Sequence, residues 1–317
     1  MQFMQKVLFI DYVHPMISAE LTNHGFQCDY FPDYQRDDFM AIAGDYFGII
    51  IRSKIKLDKE ILERASHLKF IGRVGAGMEG IDVVYALGKG IQCFNSPEGN
   101  RDAVGEHTLG MLLSLMNCMN RADREVRLGK WIREGNRGVE IKGKTVGIIG
   151  YGNMGNAFAR RLRGFEANVK AYDKYKDGYS DEFVHEATLD ELFETTDILS
   201  MHVPLTPETR FMVNDAFLDK FRKKIWLINT SRGEVVKTSD LARHLQSGKV
   251  LGAALDVLEY EDASFEAISR SLPDDFKYLL ESDNVILTPH IAGWTVESNL
   301  KLAQVLIEKI KIAFPKR

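Results

Sequence analysis

Short apolar runs alternate with amphipathic stretches along most of the chain. In the first third, residues 6–11 (KVLFID), 47–53 (FGIIIRS) and 68–75 (LKFIGRVG) are compact and rich in branched or aromatic side chains, whereas 17–25 (ISAELTNHG) and 57–65 (LDKEILERA) space their apolar positions three and four apart. The first kind reads as buried strand and the second as helix. Strands alternating with helices imply a parallel sheet with helices on its faces. Residues 103–128 keep helical spacing without a proline, which predicts one or two helices. A second alternation starts at 144–150 (KTVGIIG) and runs through 168–173 (NVKAYD), 197–203 (DILSMHV), 224–230 (KIWLINT), 251–257 (LGAALDV) and 284–288 (NVILT). These are too many strands for one small sheet, so two sheets are expected. Residues 297–313 are again helical, with Leu300, Ala303, Leu306, Ile307 and Ile310 on one side. Periodicity does not say which sheet this helix covers.

Length supports the same division, because 317 residues exceed one comfortable core and suit two domains. The 41 basic side chains nearly balance 45 acidic ones, so the net charge of -4 carries no bias toward nucleic acid or an anionic membrane. No apolar stretch reaches the roughly 20 residues of a membrane helix. Cys28, Cys93 and Cys118 are odd in number and form no CxxC pair, so neither a disulfide framework nor a bound metal is expected. The first residues show no basic segment followed by a long apolar core, and a reducing cytoplasm is the expected location.

In residues 146–162 (VGIIGYGNMGNAFARRL) an apolar strand is followed by Gly150-x-Gly152-x-x-Gly155 and then by a helical pattern. A bare GxGxxG means little, but between a strand and a helix it has a mechanism. Gly150 permits the tight turn, Gly152 lets the backbone approach a pyrophosphate, and Gly155 allows close helix packing, with the diphosphate on amides at the helix N-terminus. Asp173 ends the next strand, where a carboxylate accepts the adenosine ribose hydroxyls and repels a 2′-phosphate. NAD is therefore favoured over NADP, with Lys174 and Lys176 able to soften the discrimination. A turn that uses its glycines only for packing is the plainer alternative.

Ligands of open α/β sheets bind outside the carboxyl ends of strands. Three such ends carry unusual polar residues: 228–236 (INTSRGEVV), 254–262 (ALDVLEYED) and 289–294 (PHIAGW). Arg232 offers a planar fork for a carboxylate. His290 is of the side-chain type that ordinarily titrates near neutrality. A carboxylate on the far ring nitrogen would orient that imidazole and favour its protonated form, and Glu261 is the candidate. Each also has an ordinary reading: a surface arginine, a solvated acidic run, a histidine satisfied inside a core. Together, beside a dinucleotide signal, they suit hydride transfer to a carbonyl with protonation of its oxygen.

With these segments in view, the chain resembles the D-2-hydroxyacid dehydrogenase family. The resemblance is carried in order by 74–82 (VGAGMEGID), 95–107 (NSPEGNRDAVGEH), 143–155 (GKTVGIIGYGNMG), 202–209 (HVPLTPET), 229–236 (NTSRGEVV), 253–257 (AALDV) and 284–293 (NVILTPHIAG). It implies two Rossmann-like domains, doubly wound parallel sheets, with the cofactor domain (101–287) inserted into the substrate domain (1–100 plus 288–317). It implies Arg232, Glu261 and His290 as substrate arginine, orienting glutamate and catalytic histidine. It further implies that Asn153 and Met154 meet the pyrophosphate, that Val203 and Pro204 meet the adenosine, and that Asn229, Thr230 and Asp256 face the nicotinamide amide. Backbone at Ala76 and Gly77 would receive the substrate carboxylate, and the long helix after Asn100 would serve as hinge and homodimer interface. The sequence departs from the family after ALDV, where Asp262 replaces a proline, in the long segment 263–282, which could add a helix, and at Trp294, where a smaller residue or tyrosine is usual.

Arg52, Lys54 and Arg73 follow apolar strands of the first third and could hold a second anionic group on the substrate, as basic residues do in phosphoglycerate dehydrogenases. Trp294 would line the same pocket. The expectation is an NAD-dependent oxidoreductase acting on a CH–OH group, with 3-phosphoglycerate as one candidate and hydroxypyruvate or glyoxylate reduction as the alternative. An NAD(H)-sensing dimer like the family's corepressors is the reading from another class. The chain ends 22 residues after Thr295, so an appended regulatory domain is not expected.

Overall fold

The alternation of strands and helices produces two wholly parallel sheets. The computed structural model describes residues 4–261 and 273–316. The first sheet contains β1 (Lys6–Phe9), β2 (Gln27–Tyr30), β3 (Gly48–Ile51), β4 (Phe70–Arg73) and β5 (Gln92–Phe94), in the order β2-β1-β3-β4-β5. The second contains β6 (Thr145–Ile149), β7 (Asn168–Tyr172), β8 (Val184–Glu186), β9 (Ile198–Met201), β10 (Ile225–Asn229), β11 (Val250–Leu255) and β12 (Val285–Leu287), in the order β12-β11-β10-β9-β6-β7-β8. Each is an α/β sheet of the doubly wound kind. Among the described residues, those up to Asn100 and from Trp294 onward form one unit, and those from Arg101 to Gly293 form the other. The second unit thus lies, in sequence, between two segments of the first. The return falls at 293/294, against 287/288 expected from the sequence.

The continuous apolar runs follow from burial on both faces. Side chains alternate across a strand. Leu8 and Ile10 join Ile49, Ile51 and Ile71 in one core layer of the first unit, while Val7 and Phe9 join Ile50 and Phe70 in the other. The helix Val296–Ala313 covers this second layer with Ala303, Leu306, Ile307 and Ile310, which settles where the tail packs. Gly72 permits the approach: a Cβ there would lie 2.7 Å from Ile50 Cδ1 and 3.3 Å from Leu306 Cδ2 and Ile310 Cδ1. Thr295 starts the helix by accepting the Ser298 amide at 3.0 Å while its own amide donates to Ser298 Oγ.

In the second unit the order reverses between β6 and β9, so a crevice is expected outside the carboxyl ends of those two strands. The predicted long helix is two, Pro97–Met116 and Met119–Arg127, parted where Cys118 takes a left-handed φ of 53°. The later segment that could add a helix does so at Asp274–Glu281; its residues 263–272 lie outside the described residues. Strands β2, β5 and β8 do not stand out in the sequence. Each is short, polar in part and at a sheet edge, where one side of the ladder is open. Among the described residues, no helix is long and apolar enough to cross a membrane.

Candidate active site

The glycine turn sits at the carboxyl end of β6. Gly150 has φ +92°, and a Cβ on it would lie 2.4 Å from the His202 carbonyl oxygen. A Cβ on Gly155 would fall 2.1 Å from the Gly150 oxygen, so that glycine brings the helix Asn153–Arg161 against the turn. A Cβ on Gly152 would meet nothing within 4 Å, which identifies the open side of the turn. Asn153 and Met154 lie in the first turn of that helix, whose leading amides have no partner within a helix. Asp173 follows β7 and accepts the amide of Tyr151 at 2.8 Å and that of Tyr175 at 3.0 Å. A carboxylate thus stands beside an open, amide-lined turn, a donor set that fits a dinucleotide diphosphate and its ribose.

Across the switch, β9 is followed by His202, then by Val203, which is half-buried, and Pro204, which is exposed. His202 is buried; its Nε2 pairs with Ser200 Oγ at 2.8 Å while Nδ1 has no hydrogen-bond partner among the described residues. Burial pushes its pKa down to about 3. An unfolded histidine titrates near 6.5, so between these values the unfolded chain binds a proton that the folded chain does not. Stability from neutral His202 is complete above about pH 6.5 and declines as pH falls, by at most ~1.4 kcal/mol per pH unit. Urea unfolding from pH 7.5 to 5 should show this slope. His202→Gln should flatten it, and an equal slope in that variant would contradict the assignment.

The turns after β10, β11 and β12 carry the polar set. Gly233 lets the first two approach, since a Cβ there would lie 1.9 Å from the Leu258 oxygen. Asn229 shapes the Arg232 turn from within: its amide donates to the Arg232 carbonyl at 2.9 Å and accepts the Ser231 hydroxyl at 2.6 Å. Thr230 is buried, with its hydroxyl 3.1 Å from that of Thr108. Arg232 is half-buried, and its Nη1 donates to the Ser231 carbonyl at 2.6 Å.

His290 and Glu261 meet, with Nδ1 2.8 Å from Oε2. The other oxygen of Glu261 accepts the Leu258 amide, which fixes the carboxylate. Its neighbour Glu259 does something different and accepts the amide of Thr238 at the start of the helix Thr238–Gln246. Only one acid of the run therefore serves the histidine among the described residues. His290 itself adopts a left-handed φ of 55°, costly for a residue with a Cβ. Its amide donates to the Asp256 carbonyl at 2.7 Å.

The carboxylate of Asp256 holds the same turn. The resemblance puts this residue at the nicotinamide; in the structure it is 1% exposed and accepts from Thr288 Oγ1 at 2.6 Å, Ile291 N at 2.9 Å and Ala292 N at 2.8 Å. His107 Nε2 stands 3.5 Å from it and 3.1 Å from Thr288 Oγ1. Burial alone would raise the Asp256 pKa, but hydrogen bonds from His107, Thr288 and the two amides together hold it below the usual carboxylate value.

The remaining candidates belong to the first unit. Arg52 follows β3, its amide donates to the buried Asp11 carboxylate at 2.6 Å, and its guanidinium lies 4.3 Å from the Trp294 ring centroid. Arg73 ends β4 and donates through Nε to the Arg52 carbonyl at 3.2 Å. Its Nη1 fills the place of a Cβ on Gly75, which has φ +147°. Lys54 is turned onto the Pro32 carbonyl. Ala76 and Gly77 lie half-buried in the turn after β4, where Asn95 Nδ2 donates to the Ala76 carbonyl at 2.6 Å. Among the described residues, no group of three or more His, Cys, Asp or Glu side chains could hold a metal.

Residues 109–292 match the sequence model of the D-isomer specific 2-hydroxyacid dehydrogenase NAD-binding domain. The chain belongs to this family. A D-3-phosphoglycerate dehydrogenase of Archaeoglobus fulgidus is 34% identical over 96% of the chain, which spans 56% of that relative's length. A hydroxypyruvate reductase of Thermotoga maritima is 36% identical over 87% of each. Among solved structures, a D-lactate dehydrogenase of Aquifex aeolicus, complexed with NAD and lactic acid, superposes with a TM-score of 0.83 at 29% identity, covering 97% of this chain and 95% of that one. The family's NAD-binding domain thus coincides with the unit that holds the glycine turn and the His290–Glu261 pair. Sequence reasoning missed His107, Thr108 and His202 in this family member. The available signal was polar residues set among apolar ones, at His107 and Thr108 in a helix with Val104 and Met111, and at Ser200 and His202 in β9 and its end.

Proposed function

We propose that the protein is an NAD-dependent D-2-hydroxyacid dehydrogenase, an oxidoreductase interconverting a 2-hydroxy acid and its 2-keto acid. The observation that carries this reading is the 2.8 Å contact of His290 Nδ1 with Glu261, on a turn that Asp256 holds by its carboxylate and carbonyl. Bound NAD would supply or accept the hydride. The amides of Asn153 and Met154 receive its diphosphate, Asp173 its ribose hydroxyls, and Val203 and Pro204 flank its adenosine, while Asn229, Thr230 and Asp256 shape the nicotinamide end. Arg232 pairs with the substrate carboxylate. His290 gives its proton to the carbonyl oxygen from Nε2, the nitrogen opposite the one bonded to Glu261. Glu261 stabilises the imidazolium before transfer, and in oxidation His290 takes the proton back.

For the substrate, the stacking of Arg52 on Trp294 supports a second anionic group, with Arg73 beside it and Lys54 turned toward Pro32. NADH oxidation measured in parallel with 3-phosphohydroxypyruvate, hydroxypyruvate, glyoxylate and pyruvate tests both levels. The expected result is turnover with a preference for the phosphorylated compound that Arg52→Ala abolishes. Turnover with a preference for hydroxypyruvate or glyoxylate would leave the dehydrogenase reading and remove the phosphate one. No turnover with any of them would overturn the activity.

The same reading includes a homodimer. The helix Met119–Arg127 buries none of its residues, and Met119, Val126, Leu128, Trp131 and Ile132 are exposed on it and the stretch after it. Trp131 is 80% exposed. Light scattering should give two chains per particle, and Trp131→Glu should give one; a single-chain particle in the wild type would sink the proposal. The three free thiols, Cys28, Cys93 and Cys118, are consistent with a cytoplasmic setting.

A further inference from the structure

Two lysines and two carboxylates interlock at the carboxyl end of β7. Asp173 braces the glycine turn by accepting the Tyr151 amide, and Lys176 donates to the Tyr151 carbonyl at 3.2 Å. The ammonium of Lys174 lies on Glu208, whose carboxylate also accepts the Tyr175 hydroxyl at 2.8 Å. Glu208 comes from a separate part of the chain, after β9. Its turn is built rather than loose: Thr206 N donates to Thr209 Oγ1 at 2.9 Å, Thr209 N donates to Thr206 Oγ1 at 3.2 Å, and Thr209 Oγ1 donates to the Pro204 carbonyl at 2.6 Å. The hydrogen bond from Lys174, with that from Tyr175, holds the Glu208 carboxyl below its usual range, and the same pairing raises the Lys174 pKa.

We infer that Glu208 is a specificity-determining residue for the dinucleotide: by holding Lys174 it withholds the cation that a 2′-phosphate beside Asp173 would need. The inference rests on the proposed NAD-binding role of this turn and extends it to a residue outside the GxGxxG and Asp173 signal. A 2′-phosphate adds about two negative charges next to a carboxylate. Lys174 is the adjoining residue, and to compensate that charge it must leave Glu208, which then loses its own partner. A 2′-hydroxyl makes no such demand and is accepted by Asp173 with the Lys174–Glu208 pair intact. An exposed pair of this kind adds little to folding, so it can be altered without unfolding the protein.

Nucleotide fluorescence titration of the full chain gives dissociation constants for NADH and NADPH independently of turnover. Glu208→Gln is expected to lower the NADPH/NADH ratio of these constants about fivefold, through tighter NADPH binding. Adding Lys174→Met to Glu208→Gln should return the ratio to the wild-type value, because the released lysine is then gone. An unchanged ratio in Glu208→Gln, or a lowered ratio that persists in the double variant, would overturn the role assigned to Glu208. Failure of the wild type to bind either dinucleotide would instead refute the cofactor reading, and this inference with it.

Discussion

His290→Asn should lower kcat at neutral pH by about a thousandfold while leaving the thermal midpoint and NADH affinity near their wild-type values. Asparagine is the informative replacement because it is among the few residues with a Cβ that tolerate a left-handed backbone, and His290 has φ 55°. The amide bond to the Asp256 carbonyl can therefore persist, so the turn survives and only the proton carrier is lost. Single-turnover and steady-state rates with the best keto acid of the panel would measure the effect. A variant within a few fold of wild type would show that protonation of the substrate oxygen does not pass through His290.

Asp256→Ala is expected to cost ~3 kcal/mol of stability and to lower turnover at the same time. The carboxylate is 1% exposed and serves Thr288, Ile291 and Ala292, so its loss leaves two amides of the His290 turn, that of buried Ala292 among them, without their acceptor. Asp256→Asn should not rescue fully, because one side of an amide is a donor and would face an N–H where an acceptor is needed. The pH sign follows from the depressed pKa of Asp256. Its contribution is complete above the unfolded carboxylate value of about 3.9 and is lost as pH falls through the lower folded value. The stability gap between wild type and Asp256→Asn should thus be full at pH 7 and close in stronger acid. Urea midpoints at several pH values would test this, and a variant as stable as wild type at pH 7 would contradict the role given to the carboxylate.

Much of the candidate site was legible in the sequence. The GxGxxG spacing is legible because two of its glycines are needed for contacts a Cβ would block, at His202 and at Gly150 itself, and the third leaves the turn open. Arg232, Glu261 and His290 stood out because each follows an apolar strand at its carboxyl end, where the sheet topology leaves functional residues to gather. The partner of His290 could be named as Glu261, but not why Glu259, two residues earlier, is excluded. That depends on which acid reaches the helix Thr238–Gln246 and which reaches β12, a matter of three-dimensional path.

What the sequence determined by itself is the alternation that makes two parallel sheets, the dinucleotide turn and the identity of the polar strand ends. All of these are local: hydrophobic period, glycine spacing and residue type act within a few positions. Tertiary structure alone decided the rest. It sent the last helix to the first sheet, where Gly72 leaves room for Leu306 and Ile310. It also turned Lys54 onto Pro32 and Lys174 onto Glu208, and drew His107 and Asp256 from distant positions to hold the His290 turn. Such pairings join residues far apart in sequence, and a buried carboxylate or an exposed lysine takes its partner from whatever the fold brings within hydrogen-bond reach.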